Sequence, residues 1–498
     1  MRNVVCIVHG MTRVLPCVVF ALLTVTLAGC PESPAVDDDA GIVDDDAGVA
    51  ICAVDAPNGA CPGRRVCAGG ACVVPIDDGT DIEDDVADTW SAMWTAYNEG
   101  YGAFAAKPDL DWVAVRDDVA ARVDVATTKM QAEWAMSRGV QAIGDGHTFM
   151  VPTRLCQLDP GFGAHQSNIG ACLEETDDGF VVAQVGDDNP MGFVVGDVVT
   201  AFDGRSVEDA LHDLDEQPRC VVNHSTPAML RQSLVHSVMF RDRDDVDVDV
   251  QGADGSVETR PLLFTDRPLP CNGVLGPNVD DVVAHAHGVK SALLDGDVSY
   301  VWWPFFGAYE GNTFVDQPML DVLLPLIEDA RGRQGLILDV RSNGGGYVTV
   351  YMAIAQLLYR QSTVLFYGRN KTGPGPLDFS PEFAQTTPGN PDALDVDVVV
   401  LTNARSFSAA DFMPAFLAQT GRATSMGAPS GGGFGSGDGL PAVDGYTLGN
   451  NSFYATDLDG LPLEGHPPDV DVAVRYTRGD LAAGRDTVVE AARTFLTD

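Results

Sequence analysis

The spacing of apolar residues divides the chain into a helical part, a strand-rich part and an alternating part. Between residues 81 and 144 apolar side chains recur mostly every three or four positions, which predicts a cap of helices. Between about 160 and 265 the apolar runs are short and are separated by Gly-Asp and Asp-Gly turns, which predicts a small β-domain. From residue 299 onward, runs typical of buried strands alternate with helical patterns. We therefore expect the last part to form a parallel or mixed sheet covered by helices.

Individual elements of this last part can be predicted from the same pattern. Buried strands are expected at 299–304, 335–340 and 396–402, and helices at 314–330, 347–359 and 408–419. Trp302 and Trp303 are expected in the core. In sheets of this kind, ligand chemistry gathers at the ends of the strands.

The first thirty residues have the pattern of an export signal. Arg13 precedes an apolar run that ends in Leu27-Ala28-Gly29-Cys30, and this run is too short for a membrane span. The last four residues resemble the lipobox of bacterial lipoproteins, which implies a signal peptide over 1–29 and a lipid on Cys30. The expected location is then the cell envelope, with the lipid as the membrane attachment. An ordinary cleaved signal and an uncleaved anchor stay open, and translation could also start at Met11.

The next segments are a tether and a cysteine-rich spacer. Residues 30–50 contain the acidic repeat Val-Asp-Asp-Asp-Ala-Gly twice and have little to bury, which predicts a solvated linker rather than a calcium loop. Residues 51–75 contain four cysteines without a paired C-x-x-C or a histidine, which favours a disulfide knot over zinc. For the later cysteines we predict the pairs Cys156–Cys172 and Cys220–Cys271.

The net charge of the chain excludes two classes of binding partner. The formal net charge is −42, with 30 basic and 72 acidic residues. A protein of this charge is repelled by nucleic acids and by anionic membrane surfaces, so neither is an expected partner.

A glycine-rich turn follows one of the predicted buried strands. Asp339-Val-Arg-Ser-Asn-Gly-Gly-Gly346 lies between a strand and a helix, where backbone N–H groups converge and can hold negative charge. A plain tight turn would have the same composition. A phosphate loop is disfavoured because the Lys-Ser/Thr of such a loop is missing.

A serine stands at a second junction of strand and helix. Ser408 follows the predicted strand 396–402 and begins a helix, which is where a purely structural N-cap serine also belongs. As a nucleophile, it would need an oxyanion site made by the N–H of its own helix and by a neighbouring glycine-rich loop. The glycine-rich run 430–435 either borders the same cleft or is a flexible loop.

Together the Asp339-x-Arg-x-Asn-x-Gly-Gly346 and Ser408-Ala-Ala-Asp411 motifs resemble the peptidase family that includes tail-specific (carboxyl-terminal processing) proteases, tricorn cores and retinoid-binding repeats. The resemblance implies an α/β fold with a crotonase/Clp-protease-like catalytic core over 271–498, a helical cap over 76–158 and an inserted PDZ-like β-domain over 159–270. An unrelated small β-domain remains the alternative for the insert. The resemblance also implies an oxyanion hole made by the N–H groups of Gly345 and Ala409. Asp411 departs from the glutamate of many relatives.

The family uses either a lysine after the nucleophile or a histidine before it as the base. All four lysines of this chain precede Ser408, so the resemblance points to His147 in Gly144-Asp-Gly-His-Thr148. A histidine without a catalytic duty is the alternative, and His466 could replace it as base. Glu464 resembles the family's third member, which orients the imidazole, with Asp145 as its rival.

These observations predict a serine endopeptidase that hydrolyses carboxyl-terminal regions of exported proteins through an acyl-enzyme. Its partner is a peptide or protein substrate, and no metal or organic cofactor is implied. One alternative is a non-catalytic protein on the same fold that binds a peptide or an apolar ligand. Another is an adhesin in which the tether and the cysteine-rich segment, residues 31–75, carry the function.

Overall fold

The computed structural model describes residues 66–68, 71–73, 86–151, 170–187, 189–216, 223–239, 246–261, 263, 279 and 281–498. The predicted signal peptide, Cys30 and the acidic tether lie outside these residues. Cys172 is disulfide-bonded. Cys156, Cys220 and Cys271 lie outside the described residues, so the predicted cysteine pairs stay predictions.

The described chain begins with a short hairpin, followed by three helices. Strands β1 (Val66–Ala68) and β2 (Ala71–Val73) pair antiparallel and place Cys67 opposite Cys72. Helices α1 (Val86–Gly100), α2 (Trp112–Val125) and α3 (Lys129–Gln141) pack on one another around a shared apolar core. The Asp111 and Thr128 side chains accept backbone N–H groups at the starts of α2 and α3, which fixes where these helices begin.

Strand β3 (Phe149–Val151) follows the helices, and a separate small sheet comes after it in the chain. Its elements are β4 (Ala171–Thr176), β5 (Gly179–Val185), β6 (Val198–Phe202), β7 (Arg205–Ser206), α4 (Val207–Glu216), α5 (Pro227–Ser237), β8 (Asp247–Gln251) and β9 (Val257–Pro261). The strands pair in the order β4-β5-β6-β8-β9, with β7 beside β6, and α4 and α5 cover a core of their own. The PDZ-like assignment and the domain boundaries stay predictions.

The remaining chain builds an α/β unit. Its elements are β10 (Val283–Ala284), β11 (Lys290–Leu294), β12 (Val298–Trp302), β13 (Ala308–Glu310), β14 (Thr313–Val315), α6 (Gln317–Glu328), β15 (Gly335–Asp339), α7 (Val348–Leu358), β16 (Thr363–Asn370), β17 (Phe383–Thr387), β18 (Asp397–Thr402), α8 (Ala409–Gln419), β19 (Thr424–Gly427), β20 (Asp438–Val443), β21 (Tyr446–Asn450), β22 (Phe453–Thr456), β23 (Val472–Ala473), α9 (Arg478–Ala482) and α10 (Thr487–Thr497). The predicted helix 314–330 began too early, because Phe314 and Val315 pair with the preceding strand β13.

A seven-stranded sheet is the centre of this unit. Its order is β10-β11-β12-β15-β18-β19-β23, and the strands from β12 to β23 run parallel. Helices α6, α7 and α8 cover one face, while α10 covers the other. Burial on both faces explains why β15 and β18 are almost entirely apolar. Trp302 and Trp303 are buried, as predicted.

Two smaller sheets complete the fold. Strand β16 pairs with β17 and β22, and strand β21 pairs with β20 and β3. The β21–β3 pairing sets Gly449 opposite Phe149 and so attaches the helical part to the α/β unit. Within the part of the chain that the structure describes, no helix has both the length and the apolar character needed to cross a membrane.

Candidate active site

Two loops meet at one edge of the central sheet. Strands β15 and β18 are parallel neighbours, so the turns after Asp339 and Thr402 leave the sheet side by side. Backbone and side-chain hydrogen bonds join the two turns: the Ser342 N–H donates to Asn403 Oδ1 at 2.9 Å, and the Phe407 N–H donates to the Asn343 carbonyl at 2.9 Å. The two sequence motifs therefore form one structure.

Ser408 occupies a sharp turn at the start of α8. Its φ of 61° and ψ of −116° are unusual for a residue with a side chain. Asp411 holds this turn, since its Oδ2 accepts the Ser408 N–H at 2.5 Å, and the Asp411 N–H donates to the Ser408 carbonyl at 2.8 Å. This is the local geometry of a serine presented at the junction of a strand and a helix.

His147 approaches the serine from the N-terminal part of the chain. It precedes β3, whose pairing with β21 fixes its position, and its Nε2 lies 3.1 Å from Ser408 Oγ. The Phe407 ring stacks on the imidazole with centroids 4.5 Å apart. The structure thus brings the predicted base and nucleophile within hydrogen-bond distance, with the ring supported on one side.

Asp145 lies beneath the imidazole and is fully buried. Its Oδ1 accepts the His147 backbone N–H at 2.8 Å and lies 3.6 Å from Nδ1 of the ring. Its Oδ2 accepts from Tyr101 Oη and Asn451 Nδ2, both at 2.9 Å. Burial opposes the charge, but the hydrogen bonds from His147 and Asn451 and the nearby imidazole outweigh it and lower the pKa of Asp145. Asp145 therefore carries a negative charge next to His147.

Glu464 is buried beside the same histidine. Its ligand oxygen lies within 4.8 Å of the Asp145 and His147 ligand atoms. Burial and the neighbouring charge of Asp145 raise the pKa of Glu464 well above its ordinary value, although the Lys107 ammonium, 3.8 Å from Oε1, acts against them. Neither Glu464 oxygen nor His147 Nδ1 has a hydrogen-bond partner among the described residues.

Gly345 and Ala409 lie next to Ser408, as the predicted oxyanion site requires. A side-chain atom placed on Gly345 would lie 2.6 Å from Ser408 Cβ and 3.1 Å from the Ala409 nitrogen. The Gly345 N–H donates to Asn343 Oδ1 at 2.8 Å, while the Ala409 N–H has no acceptor among the described residues. One of the two predicted donors is therefore already engaged in this structure.

Asp411 connects the serine turn to the glycine-rich run 430–435. Besides the Ser408 N–H, its oxygens accept the N–H groups of Gly432 at 2.7 Å and Gly433 at 3.1 Å. Burial raises the pKa of Asp411 to about 7, although these hydrogen bonds favour its charged form. The run 430–435 therefore contacts the serine turn through the Asp411 carboxyl group.

Much of the C-terminal half of the chain matches one protein-family profile. The sequence profile described as Peptidase family S41 matches residues 309–472, which include Gly345, Ser408, Asp411 and Glu464. Residues 309–472, called the S41 domain below, are therefore similar to peptidase family S41. The protein is a serine-type peptidase.

Two solved structures of mature CPAF resemble this chain in fold. The crystal structure of mature CPAF shares 13% identity with a TM-score of 0.64, covering 83% of this chain and 96% of that one. The structure of mature CPAF complexed with lactacystin gives a TM-score of 0.63 at 13% identity, with 83% and 97% covered. The photosystem II D1 C-terminal processing protease has a TM-score of 0.45 at 17% identity, with 84% and 98% covered. No curated protein matches the sequence. The predicted α/β fold class is confirmed.

The S41 match ends short of the candidate base. His147 and Asp145 lie outside residues 309–472 and reach the S41 domain through the β3–β21 pairing. His466, the other histidine considered, has its Nε2 3.0 Å from the Ala106 carbonyl oxygen rather than beside Ser408.

Several residues at the site have no signal of their own in the sequence. Tyr101 and Asn451 both donate to Asp145, and Lys107 donates to the Gly144 carbonyl at 2.6 Å. Ser225 of the small β-domain accepts the Gly146 N–H at 2.9 Å. These residues are scattered along the chain without a shared motif, so only their positions in space identify them. Phe407 is different, because its place beside Ser408 in the motif could have marked it.

A buried ion pair network supports the loop before Gly345. Arg341 donates to Asp339 at 2.6 Å, to Asp486 at 2.8 Å and to Tyr476 Oη at 2.7 Å. Asp486 also accepts the first N–H groups of α10. The Asp-x-Arg part of the motif therefore ties the glycine-rich turn of the S41 domain to the C-terminal helix.

Proposed function

We propose that the S41 domain hydrolyses peptide bonds through an acyl-enzyme, with Ser408 as nucleophile and His147 as general base. The observation that carries this proposal is the 3.1 Å contact between His147 Nε2 and Ser408 Oγ at the point where the two strand-end loops meet. A serine hydroxyl is a weak nucleophile unless a base takes its proton, and a hydrogen bond of this length allows that transfer.

In the proposed reaction, Nε2 accepts the Ser408 proton while Oγ bonds to the carbonyl carbon of the substrate. The same proton then passes to the leaving amine, and a water molecule hydrolyses the ester by the reverse path. The charge of Asp145 stabilises the imidazolium that forms, and Glu464 is the second carboxyl group beside the ring. The third member of the triad is the carboxyl group that is ionised when the imidazolium forms. The kcat values of Asp145→Asn and Glu464→Gln test which of the two this is.

The oxyanion of the tetrahedral intermediate would be held by the Ala409 N–H, with the Gly345 N–H as the second donor. Support comes from the contact between Gly345 and Ser408. Because the Gly345 N–H donates to Asn343 Oδ1 before substrate binds, it must share or exchange this acceptor for the oxyanion.

We further propose that the substrates are carboxyl-terminal regions of exported proteins. The small β-domain contacts the site on two sides: Ser225 accepts the Gly146 N–H next to His147, and the Thr226 hydroxyl donates to the Gly431 carbonyl at 3.1 Å. A β-domain in this place could deliver an extended chain end by strand addition. Peptides that differ only in a free or an amidated carboxyl end test this, because only the free acid should be cleaved efficiently.

A lipid on Cys30 is the proposed attachment to the cell envelope, on the basis of the Leu27-Ala28-Gly29-Cys30 sequence. Metabolic labelling with an alkyne fatty acid should mark the wild-type protein. The Cys30→Ser variant should carry no label and should leave the membrane fraction.

The peptidase proposal is tested with a fluorescent fluorophosphonate and an unfolded protein substrate. Wild-type protein should be labelled at one serine and should cleave the substrate, while Ser408→Ala should do neither. Ser91→Ala, which changes an exposed serine on α1, is the matched control and should behave as wild type. Equal cleavage by Ser408→Ala and wild type contradicts the proposal. Tight peptide binding without turnover in wild type would support the non-catalytic alternative instead.

A further inference from the structure

Three buried side chains lie together at the site, and two of them have polar atoms without a hydrogen-bond partner among the described residues. Asp145, His147 and Glu464 are 0%, 7% and 1% exposed, and one ligand atom from each lies within 4.8 Å of the others. His147 Nδ1 and both Glu464 oxygens have no partner among the described residues. Buried polar atoms are normally satisfied, so these atoms indicate a ligand of their own.

We propose that Asp145, His147 and Glu464 bind a divalent transition-metal cation of the Zn²⁺ type, and that the bound cation switches the peptidase off. The inhibitory effect rests on the proposed function, whereas the metal site itself does not.

The spacing of the three residues fits a metal of this size. Zinc binds imidazole nitrogen and carboxylate oxygen at about 2.0–2.2 Å, so two ligands of a tetrahedral site are about 3.3–3.6 Å apart. His147 Nδ1 and Asp145 Oδ1 are 3.6 Å apart. Glu464 needs a small movement to reach the same point, and neither of its carboxyl oxygens has a hydrogen-bond partner among the described residues. Three protein ligands then leave a fourth position for water.

The donor set and the local charge select the class of cation. An imidazole with two carboxylates suits zinc and its first-row neighbours, whereas magnesium and calcium prefer oxygen alone. Lys107 opposes a cation here, since its Nζ lies 3.8 Å from Glu464 Oε1. It also donates to the Gly144 carbonyl at 2.6 Å, so part of its hydrogen-bonding capacity is used by the backbone. Two carboxyl groups still face the metal position.

The expected inhibition follows from the two nitrogens of one ring. A metal on Nδ1 uses the lone pair of that nitrogen, so the proton of the neutral ring is on Nε2. Nε2 then points a proton at Ser408 Oγ, 3.1 Å away, and cannot accept one. The substrate cleft is left open, because the cation is bound behind the ring. Zinc should therefore lower kcat and leave KM unchanged.

Binding is measured first, by titration calorimetry of Ser408→Ala with zinc chloride, since this variant cannot turn over substrate. We expect one high-affinity site per chain and no comparable binding of Mg²⁺. Adding Glu464→Gln should weaken zinc binding at least tenfold. His285→Ala is the matched control, because His285 bonds to Ser291 away from the cluster, and it should leave the affinity unchanged. An affinity that Glu464→Gln does not change overturns the proposal.

Kinetics then test the effect on wild type. At a zinc concentration ten times the measured Kd, kcat should fall about tenfold while KM stays constant. A rise in KM with constant kcat would place the ion in the substrate path and contradict the proposal. If the wild type shows no peptidase activity but Ser408→Ala binds zinc through Glu464, the proposed function fails and the metal site stands. If the wild type is active and zinc changes neither parameter, the inhibitory switch fails alone.

Discussion

His147 and Ser408 are 261 residues apart in the sequence, and Nε2 of the imidazole lies 3.1 Å from the serine Oγ. The contact depends on β3, which follows His147 and pairs with β21 of the α/β unit. A base supplied by one part of the chain and a nucleophile supplied by another make activity sensitive to how the two parts are held together. The following predictions test the residues that hold them.

The two carboxyl groups behind His147 should differ in their importance. Asp145 is expected to be ionised, whereas the pKa of Glu464 is raised well above its ordinary value by burial and by Asp145. Asp145→Asn removes the charge that stabilises the imidazolium, so kcat should fall about 10³–10⁴-fold. The raised pKa of Glu464 favours its neutral form, so Glu464→Gln changes the local charge less and should lower kcat about tenfold or less. The kcat values of the two variants at neutral pH show which carboxyl group acts with His147.

Thermal unfolding of both variants provides the control for folding, because Asp145 also bonds to Tyr101 and Asn451. If Glu464→Gln is as inactive as Asp145→Asn while both stay folded, Glu464 and not Asp145 is the third member of the triad.

Gly345→Ala should inactivate the enzyme without unfolding it. The added methyl group would lie 2.6 Å from both Ser408 Cβ and the Phe407 carbonyl oxygen, so the serine turn must shift. A displacement of about 1 Å at a reacting group lowers activity roughly 100-fold, and we expect at least that loss in kcat/KM. Steady-state kinetics on a peptide substrate measure it.

Gly332→Ala is the matched control for this change. Gly332 has a φ of 80°, close to the 86° of Gly345, but nothing lies within 4 Å of an added methyl group. Both variants place a side chain at a similar positive φ, so they differ mainly in the contacts with Phe407, Ser408 and Ala409. Equal kcat/KM for the two would contradict our assignment of the loss to the serine turn.

Asp411 should make stability depend on pH. Burial raises its pKa from 3.8 to about 7 in the folded protein, so between these values the folded chain holds a proton that the unfolded chain has released. The stabilisation is complete below about pH 4 and is lost as the pH rises through 7. Asp411→Asn should remove this part of the pH dependence. It should also lower stability by about 1–3 kcal/mol, because the amide nitrogen cannot accept the converging N–H groups.

Denaturant unfolding at several pH values between 4 and 8 measures both effects. Asp124→Asn changes an exposed aspartate on α2 and should keep the slope of wild type. A slope for Asp411→Asn that equals that of wild type would show that Asp411 does not titrate in this range.

Asp486→Ala should destabilise the fold more than the loss of an ordinary helix cap. Asp486 bonds to the buried Arg341 and also accepts the Val488 and Val489 N–H groups. Its removal leaves Arg341 with one carboxylate less, so we expect a loss of about 3–5 kcal/mol in the free energy of unfolding. Asp111→Ala removes an exposed cap of α2 and should cost about 1 kcal/mol. Similar losses for both would mean that the ion pair adds nothing.

Much of the α/β unit could be predicted from the sequence, because buried parallel strands are long apolar runs and the helices between them repeat every three to four residues. The strands at 335–340 and 396–402 were predicted to within one residue of β15 and β18. The start of α6 was wrong, since Phe314 and Val315 read equally well as the first turn of a helix and only their pairing with β13 makes them a strand.

The sequence by itself predicted the chemistry of the site: a serine at a strand-to-helix junction and a glycine turn after a buried strand. The resemblance to a family whose base is a lysine after the nucleophile or a histidine before it added a histidine as the candidate base, because every lysine precedes Ser408. Such features are local, and local patterns are what a sequence records directly. Only the tertiary structure decided that Nε2 of His147 faces Ser408, that Asp145 and Glu464 share the space behind the ring, and that the Gly345 N–H is held by Asn343. These contacts join residues that are far apart in the chain or depend on side-chain direction, which spacing along the sequence does not specify.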